Sequence, residues 1–378
     1  MITRNLYESI RARLGQSKAV VVFGARQVGK TTLVRALLED CYERVLRLNG
    51  DEPDVRSSLE NTTSSQLRML CAGHDAIFID EAQRIPNIGL TIKLLVDEIP
   101  EVQTVATGSS AFELADRIQE PLTGRKFEFH LHPLSYREMT EHHGLLEERR
   151  LLEQRLVYGF YPEIVTHPDD ARERLLLLAD SYLYKDLLML EDIKKPGLLE
   201  KILRALALQL GSEVSYAEIA SLVGSDRATV EKYIELLEKV YVVFRLPAFS
   251  RNARNEIRKG RKIYFHDLGI RNALLGGFQA VANRTDIGAL WENFLIVERM
   301  KAMEAGMKRV KRYFWRTTQK QEIDYIEEQN GQLLACEFKW NPRKQRALPV
   351  PFTRSYPNAT AAHVSRDTYE DFVLGKLP

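Results

Sequence analysis

Three cysteines in 378 residues, Cys41, Cys71 and Cys336, are too few and too scattered for a disulfide framework or a thiolate zinc site. The opening residues, MITRNLYESIRARLG, hold no apolar stretch of the kind a secretory leader carries. These two absences lead to the expectation of a cytoplasmic protein. Long hydrophobic runs are missing as well. The best of them, such as Leu175 to Leu178, fall far short of the roughly 18 apolar residues a spanning helix needs. Nor does either sign of charge dominate: 54 Lys and Arg stand against 52 Asp and Glu, a formal net charge of +2. No whole-molecule field therefore draws the chain to nucleic acid or to a membrane, and any basic site has to be local. What is present is a 44% share of hydrophobic residues, enough over this length for at least two separate cores.

The most informative stretch lies near the start. Lys18 to Phe23 (KAVVVF) is a short β-branched run, followed by GARQVGKT from Gly24 to Thr31 and by TLVRALLED, with Leu33, Leu37 and Leu38 at helical spacing. Strand, glycine loop and helix in that order suit a nucleoside triphosphate. The glycines let backbone N–H groups along Gly24, Ala25, Arg26, Gln27, Val28 and Gly29 turn inward around the β-phosphate, and the helix start at Lys30, Thr31 and Thr32 adds its dipole. Lys30 then reaches the β- and γ-phosphates, and Thr31 offers a hydroxyl to Mg²⁺.

Hydrolysis requires a second strand ending in carboxylates, and Ala76 to Glu81 (AIFIDE) supplies it. Asp80 is the expected metal partner, and Glu81 the group that orients or deprotonates the attacking water. A third strand, Val102 to Ala106, runs into Thr107-Gly108-Ser109-Ser110, where Ser109 is the candidate for sensing the γ-phosphate. The same four residues also suit an ordinary strand-to-helix turn before AFELADRI. Arg125, just ahead of KFEFHLHPL, is either a cation for transition-state charge, in cis or across a subunit boundary, or a solvated surface arginine.

The set FGARQVGKTTL, FIDEAQRIP, ATGSSAF, LTGRKFEFHLHPLSYREM and YGFYPEIV resembles a widespread bacterial and archaeal family of AAA-type P-loop ATPases with an uncharacterised C-terminal domain. The resemblance spans almost the whole chain. It implies a Walker A loop at Gly24, Gly29, Lys30 and Thr31, a Walker B pair at Asp80 and Glu81, and ATP with Mg²⁺ as cofactors. The larger AAA class often forms rings with an arginine donated by a neighbour, which leaves a homo-oligomer open and places Arg125 in the family's Gly-Arg motif.

Leu151 to Met189 reads as several helices broken at Gly159, Pro162 and Pro168, a lid over the nucleotide fold. From Pro196 a helix leads to Ser215-Tyr-Ala-Glu218, a capping-box spacing, and Gly224-Ser225 turns into a second helix from Asp226 to Lys239. YVVFRLPAF and RKIYF follow as two β-rich runs, so the unit resembles a winged helix. Between those runs Arg251, Arg254, Arg258, Lys259, Arg261 and Lys262 face a single acid, Glu256, and form the expected contact to duplex DNA phosphates. Glu231, Glu235 and Glu238 on the second helix oppose such contact, and a module that binds proteins is the alternative.

Toward the C-terminus, Trp291 to Met303 reads as a helix and Arg312 to Trp315 as a strand. Asn330-Gly331 sits between β-rich flanks, the strongest short-range sign of a hairpin. A two-residue turn there sets Asp324 opposite Glu337 and Glu322 opposite Lys339, all on one face. Like charges facing each other need a compensating cation, a lysine or a metal. Asp324 with Glu337-x-Lys339 resembles the restriction-endonuclease-like nucleases, which implies Asp324 and Glu337 as metal ligands, Lys339 beside the attacking hydroxide and Glu292 as the extra acid. Two plainer alternatives are a surface hairpin with a Glu322–Lys339 ion pair and a retained fold without cleavage.

The expected architecture is α/β: a P-loop parallel sheet over residues 1–145, a helical lid over 146–198, a winged helix over 199–280 and a restriction-endonuclease-like domain over 281–378. Two functional classes follow. One is an ATPase coupled to action on DNA. The other is a regulatory or scaffolding ATPase whose C-terminal half binds proteins and does not cut.

Overall fold

A computed structural model describes residues 2–108, 122–188, 195–250, 260–343 and 347–377. The chain divides into two compact units, one made of Met1–Pro133 with Lys239–Tyr241, the other of Leu134–Glu238 with Val242–Pro378.

In the first unit, α1 (Leu6–Arg11) precedes β1 (Ala19–Phe23), α2 (Lys30–Cys41), β2 (Val45–Asn49), α3 (Pro53–Leu59), α4 (Ser64–Cys71) and β3 (Ala76–Asp80). α5 (Ile88–Glu98), β4 (Gln103–Gly108) and β5 (Lys126–His130) complete it. The five strands form a single parallel sheet in the order β2-β3-β4-β1-β5. Parallel strands covered on both faces read as unbroken apolar runs, and β1 (AVVVF) and β3 (AIFID) are buried at every position. Each fully buried aliphatic side chain there contributes about 1.5–3 kcal/mol. Ile77, Ile79, Ile92, Leu95 and Leu67 make the core on one side of the sheet. Because β4 lies between β1 and β3, the carboxyl ends of these three strands open on one edge, where Phe23 pairs with Gly108 and Ile79 with Ala106.

The second unit opens with helices: α6 (Tyr136–His143), α7 (Leu145–Arg150), α8 (Leu152–Tyr158), α9 (Pro162–Thr166), α10 (Ala171–Leu188) and α11 (Pro196–Leu208). The boundary that the sequence suggests, at residue 145, puts α6 with the nucleotide fold, whereas α6 packs in this unit. The Tyr136 N–H donates to Glu298 at 2.6 Å, and the Tyr136 hydroxyl meets that of Tyr369 at 2.8 Å. Next come β6 (Glu213–Val214), α12 (Tyr216–Val223), α13 (Arg227–Lys239), β7 (Val243–Pro247) and β8 (Arg261–Phe265), with an antiparallel sheet in the order β6-β8-β7. Ser215 caps α12 by accepting from the Glu218 N–H, as the spacing predicts.

After α14 (Leu268–Leu275), the long α15 (Ile287–Ala305) is buried on nearly every face between Leu290 and Met303. β9 (Lys311–Arg316), β10 (Glu322–Gln329) and β11 (Gln332–Lys339) form an antiparallel meander. α16 (Val350–Ser355), β12 (Thr360–Ser365), which runs parallel to β11, and α17 (Tyr369–Val373) close the unit. Burial of α15 strands its charged side chains, and Glu298, Arg299 and Lys301 each find a partner, whereas the Trp291 indole N–H has none among the described residues. Arg299 donates to both oxygens of Glu327, at 2.9 and 2.7 Å, while Lys301 binds Glu298 at 2.7 Å and the Leu134 carbonyl at 2.8 Å. A bridge from Ala248 to Phe314, with the Phe249 N–H on the Phe314 carbonyl at 2.6 Å, links the three-stranded sheet to the meander.

Candidate active site

The glycine loop turns between β1 and α2 as the motif requires. Gly24 has φ 155°, and a Cβ there would meet the Leu131 carbonyl oxygen at 2.2 Å, so only glycine fits. Gln27 and Gly29 both take positive φ, 57° and 94°, which curls the loop so that backbone N–H groups converge at the amino end of α2. Lys30 is buried and donates to the carbonyls of Gly24 at 2.9 Å and Ala25 at 2.7 Å, so its ammonium lies across the loop.

Opposite the loop stands the end of β3. The Thr31 hydroxyl donates to Asp80 Oδ2 at 2.8 Å, Thr107 at the end of β4 donates to Oδ1, and the Glu81 N–H reaches Oδ1 at 3.2 Å. Asp80 and Thr31, 49 residues apart in sequence, are therefore neighbours. A hydroxyl and a carboxylate are hard oxygen donors, and this pair suits Mg²⁺. Glu81 leaves the strand in the left-handed region, φ 48° and ψ 41°, and its carboxylate accepts from the Gln83 side-chain amide at 2.5 Å. Gly50 lies against this turn, since a Cβ there would meet the Glu81 carbonyl at 2.4 Å. Gln83 carries no signal of this contact in the sequence. Thr107 is one of the small hydroxyls that the sequence places at the carboxyl end of the third strand, and it is this hydroxyl that bonds Asp80. Ser109 lies outside the described residues.

Arg125 needs correction as a cis catalytic group. Lys126 pairs with Ala19 and His130 with Phe23, so Arg125 sits at the amino end of the sheet, a strand length away from the phosphate loop. At about 3.3 Å per residue that is roughly 16 Å. Its guanidinium is held by Asp97 at 2.6 Å on the surface, which raises its pKa.

In the second unit the hairpin has the register that the Asn330-Gly331 turn predicts, with Tyr325 opposite Cys336 and Gln329 opposite Gln332. Asn330 and Gly331 both take positive φ, 50° and 78°. Asp324 and Glu337 meet Lys339, whose ammonium lies 3.3 Å from Asp324 Oδ2 and 3.2 Å from Glu337 Oε2. Asp324 also accepts from the Phe338 N–H at 2.7 Å. Burial, and then the negative charge of Asp324, push the Glu337 carboxyl up to about 7.

The Glu322–Lys339 ion pair of the surface-hairpin alternative is not made. Glu322 turns instead to Lys262 at 2.5 Å and to Arg316 at 3.5 Å. Lys262 also binds Glu292 at 2.8 Å, and Glu292 accepts from the Tyr264 hydroxyl. Glu292 is thus engaged by Lys262 and Tyr264 and does not complete a ligand set with Asp324 and Glu337. Among the described residues no three His, Cys, Asp or Glu side chains come together in a way that could hold a metal ion. The three-carboxylate metal site expected from sequence does not fit this arrangement.

The basic stretch also changes. Arg251, Arg254, Arg258 and Lys259 lie outside the described residues. Lys262 is 1% exposed, and although burial lowers its pKa, Glu292 and Glu322 outweigh that and raise it, so it stays charged inside the protein and cannot touch a phosphate. Arg261 stacks over Tyr216 and lies 3.6 Å from Glu231.

The first unit has the parallel sheet, glycine loop and carboxylate-ended strand of a P-loop nucleotide-binding domain. Residues 16–140 match the AAA domain family, residues 149–280 a domain of unknown function, DUF8612, and residues 287–376 another, DUF4143. The chain is 28% identical over 342 residues to uncharacterized protein Rv2008c of Mycobacterium tuberculosis, covering 89% of this chain and 73% of that one. An uncharacterized protein of Haemophilus influenzae is 25% identical over 308 residues, 74% of each chain. Among solved structures, the Walker-type ATPase paby2304 of Pyrococcus abyssi aligns with a TM-score of 0.49 at 18% identity, over 72% of this chain and 94% of that one. The RuvB Holliday junction branch migration motor of Thermotoga maritima aligns at 0.33 and 13% identity, over 68% and 95%. No helix among the described residues is long and apolar enough to cross a membrane.

Proposed function

We propose that the protein is a Mg²⁺-dependent ATP hydrolase whose second unit works as a DNA-directed module. The observation that carries the hydrolase reading is the contact between Thr31 and Asp80, with Glu81 one residue beyond. The phosphates sit on the N–H groups of the loop from Gly24 to Gly29, and Lys30 exchanges the Gly24 and Ala25 carbonyls for the β- and γ-phosphate oxygens. Thr31 and Asp80 would hold Mg²⁺, which when bound would neutralise charge on the phosphates. Glu81, released from Gln83, takes the proton of the attacking water. Phosphate release by the purified protein tests this, with Lys30→Ala beside it. Unchanged turnover in that variant refutes the assignment.

The DNA-directed reading draws support from topology. α11, β6, α12, α13, β7 and β8 follow one another in winged-helix order, and α15, the meander, α16 and β12 follow a helix, three antiparallel strands, a helix and a parallel strand, as in restriction-endonuclease-like folds. A second reading, a scaffolding ATPase that does not cut, is favoured by Lys339, which neutralises Asp324 and Glu337 directly. Cleavage of supercoiled and linear DNA with Mg²⁺ or Mn²⁺, with and without ATP, separates the two. Cutting that is lost in Asp324→Ala and Glu337→Ala supports the nuclease. No cutting, together with no salt-sensitive duplex binding, supports the scaffolding ATPase.

A further inference from the structure

The segment ahead of β1 lies before the residues that match the AAA family, yet it reaches the phosphate loop. Arg4 precedes α1, and its guanidinium forks. Nη1 donates to the Val28 carbonyl at 2.6 Å and Nη2 to the His132 carbonyl at 2.6 Å. Val28 belongs to the glycine loop, and His132 lies just beyond Leu131, whose carbonyl presses on Gly24 and whose N–H donates to Phe23 at 2.7 Å. One side chain thus ties the far end of the loop to the backbone that already buttresses its near end. Two further anchors hold the segment in place: Leu6 and Ile10 are buried, and the Tyr7 hydroxyl bonds Asp40 on α2.

The geometry points to Arg4 as a positioning residue for ATP binding, an inference that rests on the ATPase reading above. The Val28 carbonyl and the Gly29 N–H belong to one planar trans peptide, so they point in opposite directions. Fixing the carbonyl on Arg4 therefore fixes the Gly29 N–H away from it, at the amino end of α2 where phosphate oxygens bind. Gly29 is the residue with the greatest freedom to flip this peptide: it sits at φ 94°, and a Cβ there would lie 3.5 Å from Arg4 Nη1. Without Arg4 the loop samples orientations that present a carbonyl to the phosphates, and ATP has to select the competent one. Arg4 does not touch the reacting atoms. Its effect falls on nucleotide affinity and much less on the chemical step.

The test compares the unmodified protein with Arg4→Ala, Arg4→Lys and Tyr7→Phe, using ATP binding by titration calorimetry and steady-state phosphate release. Arg4→Ala is expected to weaken ATP binding and raise KM about tenfold, as loss of two charge-assisted hydrogen bonds implies, with kcat changed less than threefold. Arg4→Lys, able to reach one carbonyl but not both in fork geometry, is expected to fall between. Tyr7→Phe loosens the same segment without touching the loop and is expected to bind ATP within about twofold of the unmodified protein. Equal ATP affinity in Arg4→Ala overturns the inference, as does a Tyr7→Phe defect as large as that of Arg4→Ala. Failure of the unmodified protein to bind ATP overturns the ATPase reading itself and this inference with it.

Discussion

Two lysine–carboxylate groups, one in each unit, use the same residue types in opposite ways. At the phosphate loop, Lys30 donates to main-chain carbonyls and Asp80 accepts from two hydroxyls and a backbone N–H. At the hairpin, Lys339 donates to Asp324 and Glu337 themselves as well as to the Phe338 carbonyl, and elsewhere in the same unit Lys262 of β8 is likewise held by Glu292 and Glu322. The first arrangement is suited to receiving a highly charged ligand, because its charges bond to groups that a phosphate or a magnesium ion can replace. The second has satisfied its charges internally. Motif resemblance alone treats the two sites alike, and the partners of each lysine distinguish them.

The strongest way to break this comparison is at Lys30. Lys30→Ala should remove measurable ATP turnover, a loss of roughly a hundredfold or more, read by phosphate release. If Lys339→Ala abolished turnover equally while the protein stayed folded, the contrast between the two sites would be wrong. Next in size is a structural difference. The first unit rests on an apolar parallel sheet, whereas the second encloses ion pairs, so Arg299→Ala, which leaves Glu327 buried without its fork, should cost about 3–5 kcal/mol of stability. A shift of the denaturant midpoint measures it, and ATP binding by the first unit should survive.

A smaller effect sharpens the reading of the hairpin. The Glu337 carboxyl is raised from an ordinary 4.5 to about 7, so between those values the folded protein binds more protons than the unfolded chain. This group's contribution to stability is therefore full at pH below about 4.5 and falls as pH rises toward about 7. Unfolding curves across that window should flatten in Glu337→Gln. Asp324→Asn should move the fall to lower pH, because Asp324 is one cause of the raised value. The smallest expected effect is at Arg125. Arg125→Ala should leave melting temperature and ATP turnover unchanged, since Asp97 holds it on the surface at the far end of the sheet. Lost turnover would mean that Arg125 serves the nucleotide of a neighbouring copy.

The parts of the candidate site that were legible from residues are those that depend on local spacing. GARQVGKT between a β-branched run and a helix specifies its own turn, because the glycines, the strand and the helix start are contiguous. AIFID stops at carboxylates because a buried parallel strand stays apolar until it emerges at the sheet edge. The hairpin register was equally readable, since a two-residue turn with a strand period of two leaves one pairing. Side-chain partners were not. Lys262 looked like one of a run of surface cations, but β8 carries it inward between Glu292, which is 30 residues away, and Glu322, which is 60 residues away. Arg4 belongs to no motif, and Thr107, although it lies in ATGSSAF, bonds a carboxylate 27 residues away, so the partners of both are set by segments distant in the chain.

By itself, then, the sequence determined that this chain carries a phosphate loop with a following carboxylate strand, and that an acidic hairpin turns at Asn330-Gly331. Those features arise from backbone geometry within a few residues. Only the tertiary structure decided which end of the sheet Arg125 occupies, that Asp80 meets both Thr31 and Thr107, and that Lys262 and Lys339 are held by acids of their own unit. Strand order and the burial of charge decide these matters. Both are set by how distant segments pack, because a buried ammonium is stable only where the fold brings carboxylates to it.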